Sequence, residues 1–245
     1  MRHIVLIAKH LAKRFGKIKA LEDVSFEVYE GEVYALVGPN GAGKTTTLKI
    51  ICSLLKPDKG YVRVMGYDVV THRKDAMKYM AFVPDAPVFY ASLTVREQIE
   101  LYCCLRGVNV EDVEDRLEYL LEAFGLRKYE RVLISKLSRG NIQKLALVQA
   151  LLLEPKLIVM DEPYNNIDVD SQIVLKEEIM KLAKKGSSFL ISSHILPWVS
   201  RIADRVGFIN HGRILEEGRL DDLLAKYGTE SLEGLYKVVI RGSSC

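Results

Sequence analysis

Residues 38–46 have the composition of a loop that binds phosphate. They match the pattern G-x-x-x-x-G-K-[ST] and add one further threonine. The segment comprises Gly38, Pro39, Asn40, Gly41, Ala42, Gly43, Lys44, Thr45 and Thr46. Glycines let successive backbone N–H groups turn toward one point, where they surround phosphate oxygens. Lys44 is long enough to reach the β- and γ-phosphates of a nucleoside triphosphate, and the Thr45 hydroxyl suits Mg²⁺.

The residues on either side of this loop predict the strand and the helix that position it. Val33–Val37 is an apolar run that predicts a buried strand, and Thr45–Ile51 has helical spacing. A helix that begins at about Gly43 points the positive end of its dipole at the loop. We therefore expect the loop at the carboxyl edge of a sheet, where open α/β folds bind ligands.

Two carboxylates follow another apolar strand. Leu157–Met160 predicts a buried strand, and Asp161 and Glu162 come directly after it. Alone, such a pair also fits the end of a strand and the start of a turn. Beside a phosphate loop, it predicts that Asp161 holds Mg²⁺ through water and that Glu162 polarises a water for attack on the γ-phosphate.

Two polar residues each have a structural and a chemical interpretation. His194 follows the apolar strand Ser188–Ser192 and is either a packed or capping residue or a hydrogen-bonding group for the γ-phosphate or the attacking water. Ser138 precedes the helical segment Gly140–Leu153 and is a good N-cap. Alternatively, the start of that helix is an anion site that completes a nucleotide held elsewhere.

Composition describes an ordinary globular domain. The 245 residues are 49% hydrophobic and carry a net charge of +3, so bulk electrostatics predict no nucleic-acid partner. The longest apolar stretch, within Leu145–Leu153, is too short for a membrane span. The four cysteines form no C-x-x-C pair, which favours neither a zinc nor a redox site and fits a reducing cytosol. We expect at least one of Cys103 and Cys104 to pack in the core.

The order of elements predicts a mixed α/β core interrupted by a helical insert. Strand and turn signals dominate residues 1–84, whereas helical periodicity dominates residues 85–154, and strand–helix alternation resumes at residue 155. Besides the elements already named, we predict strands Ile4–Ala8, Gly60–Gly66, Val206–Ile209 and Arg213–Glu216, helices Thr94–Arg106, Val110–Phe124, Asp170–Lys184 and Ile195–Ala203, and a loose tail, Gly242–Cys245.

In this order, the motifs resemble those of the ATP-binding subunit of ABC transporters. The phosphate loop is followed by a helical insert, a Leu-Ser-x-Gly signature, a strand ending in Asp-Glu-Pro, an aspartate loop and a switch histidine. The resemblance runs from about Val5 to Tyr236. It implies a phosphate-loop NTPase (RecA-like) α/β core, an N-terminal antiparallel β subdomain and an inserted α-helical subdomain. The whole of 1–245 would be one ATPase domain, with the core and β subdomain in 1–84 and 155–228, the helical signature subdomain in 85–154 and a C-terminal extension in 229–245.

The resemblance also implies a role for each matching residue. Phe15, which in isolation would be interpreted as a core residue, matches the aromatic side chain that stacks on adenine. Asp161 matches the Mg²⁺ carboxylate, Glu162 the general base and His194 the switch histidine. Asp168 matches the loop that contacts the opposite protomer. Protomers of this family face head to tail, so the signature would act on the partner's ATP. The signature residues are Ser138, Arg139, Gly140 and Asn141.

Three segments depart from the commonest pattern of the family. Asp85 stands where the family usually has Gln. A carboxylate binds a hard cation better than an amide oxygen does, but the aspartate side chain is one methylene shorter than that of glutamine. We therefore expect Asp85 to act as a metal ligand, directly or through a bridging water. Arg139 and Asn141 replace a glycine and a glutamine of the signature. Tyr164 and Asn165 replace smaller residues. Because the residues expected to perform the chemistry are intact, we expect hydrolysis to be tuned, not abolished.

The resemblance implies a subunit that uses ATP and Mg²⁺, dimerises with an identical or different protomer, and powers transport through a separate membrane-spanning permease. The exporter and drug-efflux branch is the most similar. Such a protein is cytoplasmic and peripheral on the inner face of the cell membrane. Pro87–Leu93 either docks that permease or packs as the entry to a helix. Two alternatives stay open: a soluble ABC ATPase without a transport role, such as an iron–sulfur assembly factor, and a regulatory module that barely hydrolyses ATP.

Overall fold

The computed structural model describes residues 3–242. Within that range, the strands are β1 Ile4–Phe15, β2 Ile18–Tyr29, β3 Val33–Val37, β4 Lys59–Val64, β5 Tyr67–Asp68, β6 Met80–Val83, β7 Leu157–Asp161, β8 Ser188–Ser193, β9 Arg205–Asn210 and β10 Arg213–Arg219. The α-helices are α1 Lys44–Ile51, α2 Arg73–Met77, α3 Val95–Leu105, α4 Glu114–Ala123, α5 Arg139–Leu152, α6 Val169–Lys184, α7 Leu196–Val199, α8 Leu220–Tyr227 and α9 Leu232–Tyr236. Short 3₁₀ turns occupy Val110–Val113, Arg127–Tyr129 and Ile134–Lys136, and a π-helical turn occupies Lys237–Arg241.

The strands of the described range form one curled sheet in the order β5-β4-β1-β2-β10-β9-β3-β8-β7-β6. The end that contains β1, β2, β4 and β5 is antiparallel. Strands β3, β8, β7 and β6 lie side by side and pair in parallel. The loops that follow these four strands therefore leave the sheet at the same carboxyl edge. The predicted mixed α/β fold is confirmed.

Strand β3 is buried on both faces and separates two hydrophobic clusters. Val33, Ala35 and Val37 contact the cluster that includes the helical segment, whereas Tyr34 and Leu36 contact the cluster formed with β1, β2 and α1. Successive side chains of a strand point to opposite faces. A strand covered on both sides therefore needs an unbroken apolar run, as this one has.

The helices α3, α4 and α5 lie between β6 and β7, in the segment predicted to be helical. A capping box starts α3: the Thr94 side chain accepts from the backbone N–H of Glu97, and the Glu97 carboxylate accepts from the backbone N–H of Thr94. At the other end of α3, the Arg106 guanidinium donates to the carbonyls of Met77 and Met80, each at 2.6 Å. These two bonds tie the helical segment to the core.

Several predicted boundaries were wrong for local reasons. The first strand extends beyond Ala8 to Phe15, because bulges let it continue to pair with β2. The helix predicted for Ile195–Ala203 is assigned as α-helix only over Leu196–Val199, after which mixed i→i−3 and i→i−4 hydrogen bonds continue the turn. Strand β4 ends before Met65, whose φ of +50° turns the chain into β5.

Other predictions concern the cysteines and the chain end. Cys103 is buried and Cys104 is exposed, as expected for a neighbouring pair on one helix. The predicted tail, apart from Gly242, lies outside the described residues. No helix within residues 3–242 combines the length and apolar character needed to cross a bilayer.

Candidate nucleotide-binding site

The loop between β3 and α1 folds around the ammonium group of its own lysine. Lys44 Nζ donates to the carbonyl oxygens of Gly38 at 2.8 Å and Pro39 at 3.2 Å. Gly43, the residue before α1, has a φ of +110°, and a Cβ there would lie 2.8 Å from the carbonyl oxygen of Ala20. Only glycine fits this position, since any other residue combines an unfavourable φ with a collision.

The two predicted carboxylates, Asp161 at the end of β7 and Glu162 directly after it, lie in different environments. Asp161 is buried, and its Oδ1 accepts a hydrogen bond from Ser192 Oγ of β8 at 2.5 Å. Glu162 has a φ of +49°, and its backbone N–H donates to both the carbonyl oxygen and the Oγ of Ser192, each at 3.2 Å. A positive φ is unfavourable for a residue with a Cβ and often marks a functional site. Here the bonds to β8 stabilise it.

The Glu162 carboxylate contacts two other predicted catalytic residues. Its Oε2 accepts from Nδ1 of His194 at 2.9 Å and from the backbone N–H of His194 at 3.3 Å. Its Oε1 lies 3.7 Å from Lys44 Nζ. His194 follows β8 and Lys44 follows β3, so the three residues meet because their strands are neighbours in the parallel part of the sheet. About half of the His194 side chain is exposed and remains accessible from the cleft.

These groups border a cleft of about 530 Å³. The predicted residues that line it are Phe15, Asn40, Gly41, Ala42, Gly43, Lys44, Thr45, Thr46, Asp85, Glu162 and His194. Phe15 is 49% exposed, which excludes the interpretation as a core residue. The cleft is also lined by Ile18, Lys19, Ala20 and Asn165, which were not predicted to be part of the site. Gly16 could have indicated that residues 18–20 line the cleft, because a tight turn at this glycine brings the residues after it back beside Phe15.

The signature residues do not line this cleft in the described part of the chain. Ser138 is the N-cap of α5, and its Oγ accepts from the backbone N–H of Asn141 at 3.2 Å. Gly140 packs against the loop after β7, where a Cβ would lie 2.7 Å from the carbonyl oxygen of Asn166. Arg139 lines a separate cavity of about 390 Å³ with Asp85. One protomer therefore does not bring its own signature to its own phosphate loop.

Asp168 has partners within its own protomer. Its carboxylate forms an ion pair with Lys144 of α5 at 2.5 Å and accepts from the backbone N–H of Ser171 as the N-cap of α6. The hydrogen bond from Lys144 and the bond from Ser171 hold the pKa of Asp168 well below its usual range. The ion pair thus joins α5, which begins at the signature residues, to the loop that the resemblance places at the dimer interface.

The loop after Glu162 contains Tyr164 and Asn165, two of the positions that depart from the family pattern. Tyr164 is buried with its ring against the ring of Trp198, and burial raises the pKa of its hydroxyl. The Asn165 side chain instead points to the cleft, where its Nδ2 donates to Oδ1 of Asp85 at 3.0 Å.

The oxygen ligands around the cleft suit a Mg²⁺ ion that arrives with a nucleotide. Thr45 is exposed and Asp85 lines the cleft, whereas Asp161 is the buried last residue of β7. Residues 3–242 contain no group of three or more His, Cys, Asp or Glu side chains placed to hold a metal by themselves. Mg²⁺ commonly takes its remaining ligands from phosphate oxygens and water, so a small set of protein oxygens fits it.

A glycine-rich loop at the carboxyl edge of a parallel sheet, with Asp161 and Glu162 at the end of a second strand of the same sheet, defines a phosphate-loop nucleotide-binding protein. Residues 21–165 match the sequence profile described as ABC transporter, and the chain belongs to this family. It is 33% identical over 224 residues to the Nod factor export ATP-binding protein I of Rhizobium etli, which covers 91% of this chain and 71% of that protein.

Solved structures agree with this assignment. The structure of an ATP-binding subunit of an ABC transporter superposes with a TM-score of 0.92 at 34% identity, over 96% of this chain and 99% of that one. A dimeric post-hydrolysis state of an ATP-binding cassette bound to ADP and Pi gives a TM-score of 0.79 at 25% identity, over 88% of this chain and 98% of that one. The chain is therefore an ABC cassette of the ATPase class.

Proposed function

We propose that this chain binds ATP with Mg²⁺ in the cleft, hydrolyses it, and powers transport through a separate membrane-spanning partner. The observation that carries the proposal is the position of the Glu162 carboxylate, 2.9 Å from the His194 ring and 3.7 Å from the Lys44 ammonium. A base beside a phosphate-binding lysine is the arrangement needed to activate water for attack on a γ-phosphate.

Each of these residues has one task in the reaction. Lys44 exchanges its bonds to the loop carbonyls for the β- and γ-phosphate oxygens, where its charge offsets that of the transition state. Glu162 accepts the proton of the attacking water on its carboxylate. His194 orients that carboxylate, and its half-exposed ring lines the cleft that would hold the γ-phosphate. Phe15 stacks on the adenine ring.

The Thr45 hydroxyl, Asp161 and Asp85 are the residues that would hold Mg²⁺, Asp161 through water. When bound, the ion neutralises charge on the β- and γ-phosphates. The hydrogen bond from Ser192 fixes the Asp161 carboxylate, so that residue is oriented before the nucleotide arrives.

We propose that two protomers join head to tail around ATP, with Ser138 and Gly140 of each completing the site of the other. Support comes from the position of these residues outside their own cleft and from the dimeric state of a similar cassette. Arg139 and Asn141 would then also face the partner's nucleotide, with Asp168 at the interface. The Ser138 Oγ accepts from the backbone N–H of Asn141 as the cap, and this leaves the O–H of the same hydroxyl free to donate to a phosphate oxygen of the partner's ATP.

We further propose that the partner is a permease, that the direction is export, and that the chain works at the cytoplasmic face of the membrane. The Rhizobium etli relative is named as an export ATP-binding protein. The aromatic segment just after Asp85 is the proposed contact with the permease, since it begins the helical segment and exposes Val88 and Tyr90.

The hydrolysis proposal is tested with Glu162→Gln, which keeps the size of the side chain and removes the base. We expect ATP turnover to fall by at least ~10²-fold, because a general base contributes about that much, while binding of Mg·ATP persists. Light scattering with Mg·ATP should show the variant as a dimer. Unchanged turnover would assign the chemistry to another residue.

The transport proposal is tested by purification from detergent-solubilised membranes. We expect the tagged chain to be recovered with a multi-span membrane protein, and the Tyr90→Ala variant to recover less of it. Recovery with soluble partners alone would contradict a transport role and favour a soluble ABC ATPase.

A further inference from the structure

The hydrogen bond between Asn165 and Asp85 joins two loops at the rim of the nucleotide cleft. Asp85 follows β6, and Asn165 lies in the turn that follows β7. These strands pair in parallel, with Val83 beside Met160, so both loops leave the same edge of the sheet. Each side chain lines the cleft together with Lys44 and Thr45.

Asn165 is also bonded, through its backbone, to the turn that begins at Glu162. Its N–H donates to the carbonyl oxygen of Glu162 at 3.1 Å, while its side-chain Nδ2 donates to Asp85 Oδ1 at 3.0 Å. Asn165 therefore holds two groups in place: the backbone carbonyl of Glu162, the proposed general base, and the carboxylate of Asp85, at the start of the helical segment. Within residues 3–242, Oδ2 of Asp85 accepts no hydrogen bond, and the residue lines the cleft.

The placement of this bond argues for an orienting role instead of a stabilising one. Asp85 is exposed and Asn165 is half-buried, so water competes for the bond and its contribution to folding is small. A short aspartate in water samples several rotamers, and a fixed donor on one oxygen restricts which way the other oxygen points. A carboxylate held in one orientation presents its free oxygen to a bound cation, or to a water molecule bound to that cation.

We propose that Asn165 is a positioning residue for Asp85, which it orients so that Oδ2 meets the hydrated Mg²⁺ of Mg·ATP. This inference rests on the proposed function. It adds Asn165 to the residues that affect nucleotide binding, and it makes the effect of Asn165 dependent on Mg²⁺. Asn165 touches neither ATP nor Mg²⁺; its effect passes through Asp85. Its contribution should thus exist only when both Asp85 and Mg²⁺ are present.

The chain provides an optical signal that does not depend on turnover. Its single tryptophan, Trp198, packs on Tyr164, the residue before Asn165. A change in this loop on nucleotide binding alters the surroundings of that indole, so tryptophan fluorescence can be titrated with nucleotide. Titrations with Mg·ATP and with ATP in EDTA separate the part of the affinity that needs the metal.

The experiment compares the wild type with Asn165→Ala, Asp85→Ala and the double variant in the full chain. Asn109→Ala is the matched control, since Asn109 is exposed, lies outside the cleft and makes no side-chain hydrogen bond to the described residues. We expect Asn165→Ala to raise the Kd for Mg·ATP about three- to ten-fold, which is the effect expected from the loss of one hydrogen bond. The Kd for ATP in EDTA should not change, and the double variant should match Asp85→Ala.

Three results would overturn the inference. Equal weakening with and without Mg²⁺ would mean that Asn165 only maintains the loop, and additive effects in the double variant would mean that it does not act through Asp85. An unchanged Kd in Asn165→Ala would remove the role altogether. If the wild type fails to bind Mg·ATP, or turnover survives Glu162→Gln, the proposed function fails instead. Circular dichroism and the unfolding midpoint of each variant confirm that it is folded.

Discussion

Nδ1 of His194 lies 2.9 Å from Oε2 of Glu162, and the backbone N–H of His194 donates to the same oxygen at 3.3 Å. A carboxylate only accepts hydrogen bonds, so Nδ1 carries a proton in this contact. The histidine therefore orients the proposed base from two donors on one residue. Because the second donor is in the backbone, a side-chain substitution removes only half of this support.

The first prediction follows from that division. His194→Ala should lower kcat by on the order of 10- to 100-fold, less than Glu162→Gln, because the backbone donor still positions the base. The Kd for Mg·ATP should change by about three-fold or less. Steady-state phosphate release and a fluorescent-ATP titration measure the two quantities. A loss of binding as large as the loss of turnover would show that His194 holds the nucleotide instead of the base.

The second prediction concerns Lys44. Lys44→Ala removes an ammonium that bonds two carbonyls of its own loop and that we expect to meet the phosphates. Removing a charge-assisted bond of this kind costs ~1.5–3 kcal/mol, so the Kd for Mg·ATP should rise by at least ~10-fold. Isothermal titration gives the value, with Lys49→Ala, exposed on the same helix, as the control. Equal affinities for both variants would contradict a phosphate role.

The sequence predicted features that depend on local patterns. The phosphate loop was identified because its residues are consecutive, and β3 was given its observed bounds because a strand buried on both faces needs a continuous apolar run. Ser138 was predicted as an N-cap because capping depends on residues within one turn. The helix at Leu196–Val199 was predicted too long, because apolar spacing continues beyond Val199, where the regular i→i−4 pattern gives way to mixed hydrogen bonds.

Two side-chain contacts between distant residues were not predicted from the sequence. Asp85 and Asn165 were each recognised as unusual, but their bond joins positions 80 residues apart. Only the parallel pairing of β6 with β7 brings them together, and no local pattern specifies that pairing. The same reason explains why the ion pair between Lys144 and Asp168 was not predicted.

The third prediction concerns Gly140, where two effects oppose each other. Replacing a helical glycine by alanine favours the helix by about 0.5–1 kcal/mol. Against this, the new Cβ would lie 2.7 Å from the backbone oxygen of Asn166, and forced repacking typically costs ~1–3 kcal/mol. We expect the clash to prevail and Gly140→Ala to lower the free energy of unfolding by about 1 kcal/mol.

Urea unfolding measures this change, and Arg139→Ala is the control because Arg139 is exposed at the start of the same helix. If the Gly140→Ala protein is more stable than the wild type, the loop at Asn166 can move away from the new Cβ without a loss of stability.

The fourth prediction separates the ring of Tyr164 from its hydroxyl. The hydroxyl is buried without a hydrogen-bond partner in the described chain, whereas the ring packs on Trp198. Removing an unpaired buried hydroxyl relieves a desolvation cost, so Tyr164→Phe should be neutral or stabilising by up to ~1 kcal/mol. Tyr164→Leu should be destabilising, because it loses the aromatic contact. Thermal unfolding midpoints test both, and a clear loss in Tyr164→Phe would reveal a partner for the hydroxyl.

The last prediction is a pH dependence that originates at Asp168. Its pKa is lowered in the folded protein by the bonds from Lys144 and Ser171, relative to an ordinary value of about 3.9 when unfolded. A lowered folded pKa means that the unfolded state binds the proton more tightly. The stabilisation is therefore fully present above about pH 4 and is lost as the pH falls through the folded pKa. Because the carboxylate is about half exposed, we expect it to amount to only ~0.5–1 kcal/mol.

Asp168→Asn isolates this contribution, since the amide oxygen can still cap α6 while the charge facing Lys144 is gone. The difference in free energy of unfolding between wild type and Asp168→Asn should be constant from pH 7 to 5 and shrink as the pH falls below about 4. Urea titrations at pH 7, 5, 4 and 3 measure it, with Asp170→Asn as the control because Asp170 lies in the same helical turn without an ion pair in the described chain. A difference that stays the same at pH 3 would show that Asp168 stabilises the fold through its cap alone, and not through the charge that joins α5 to α6.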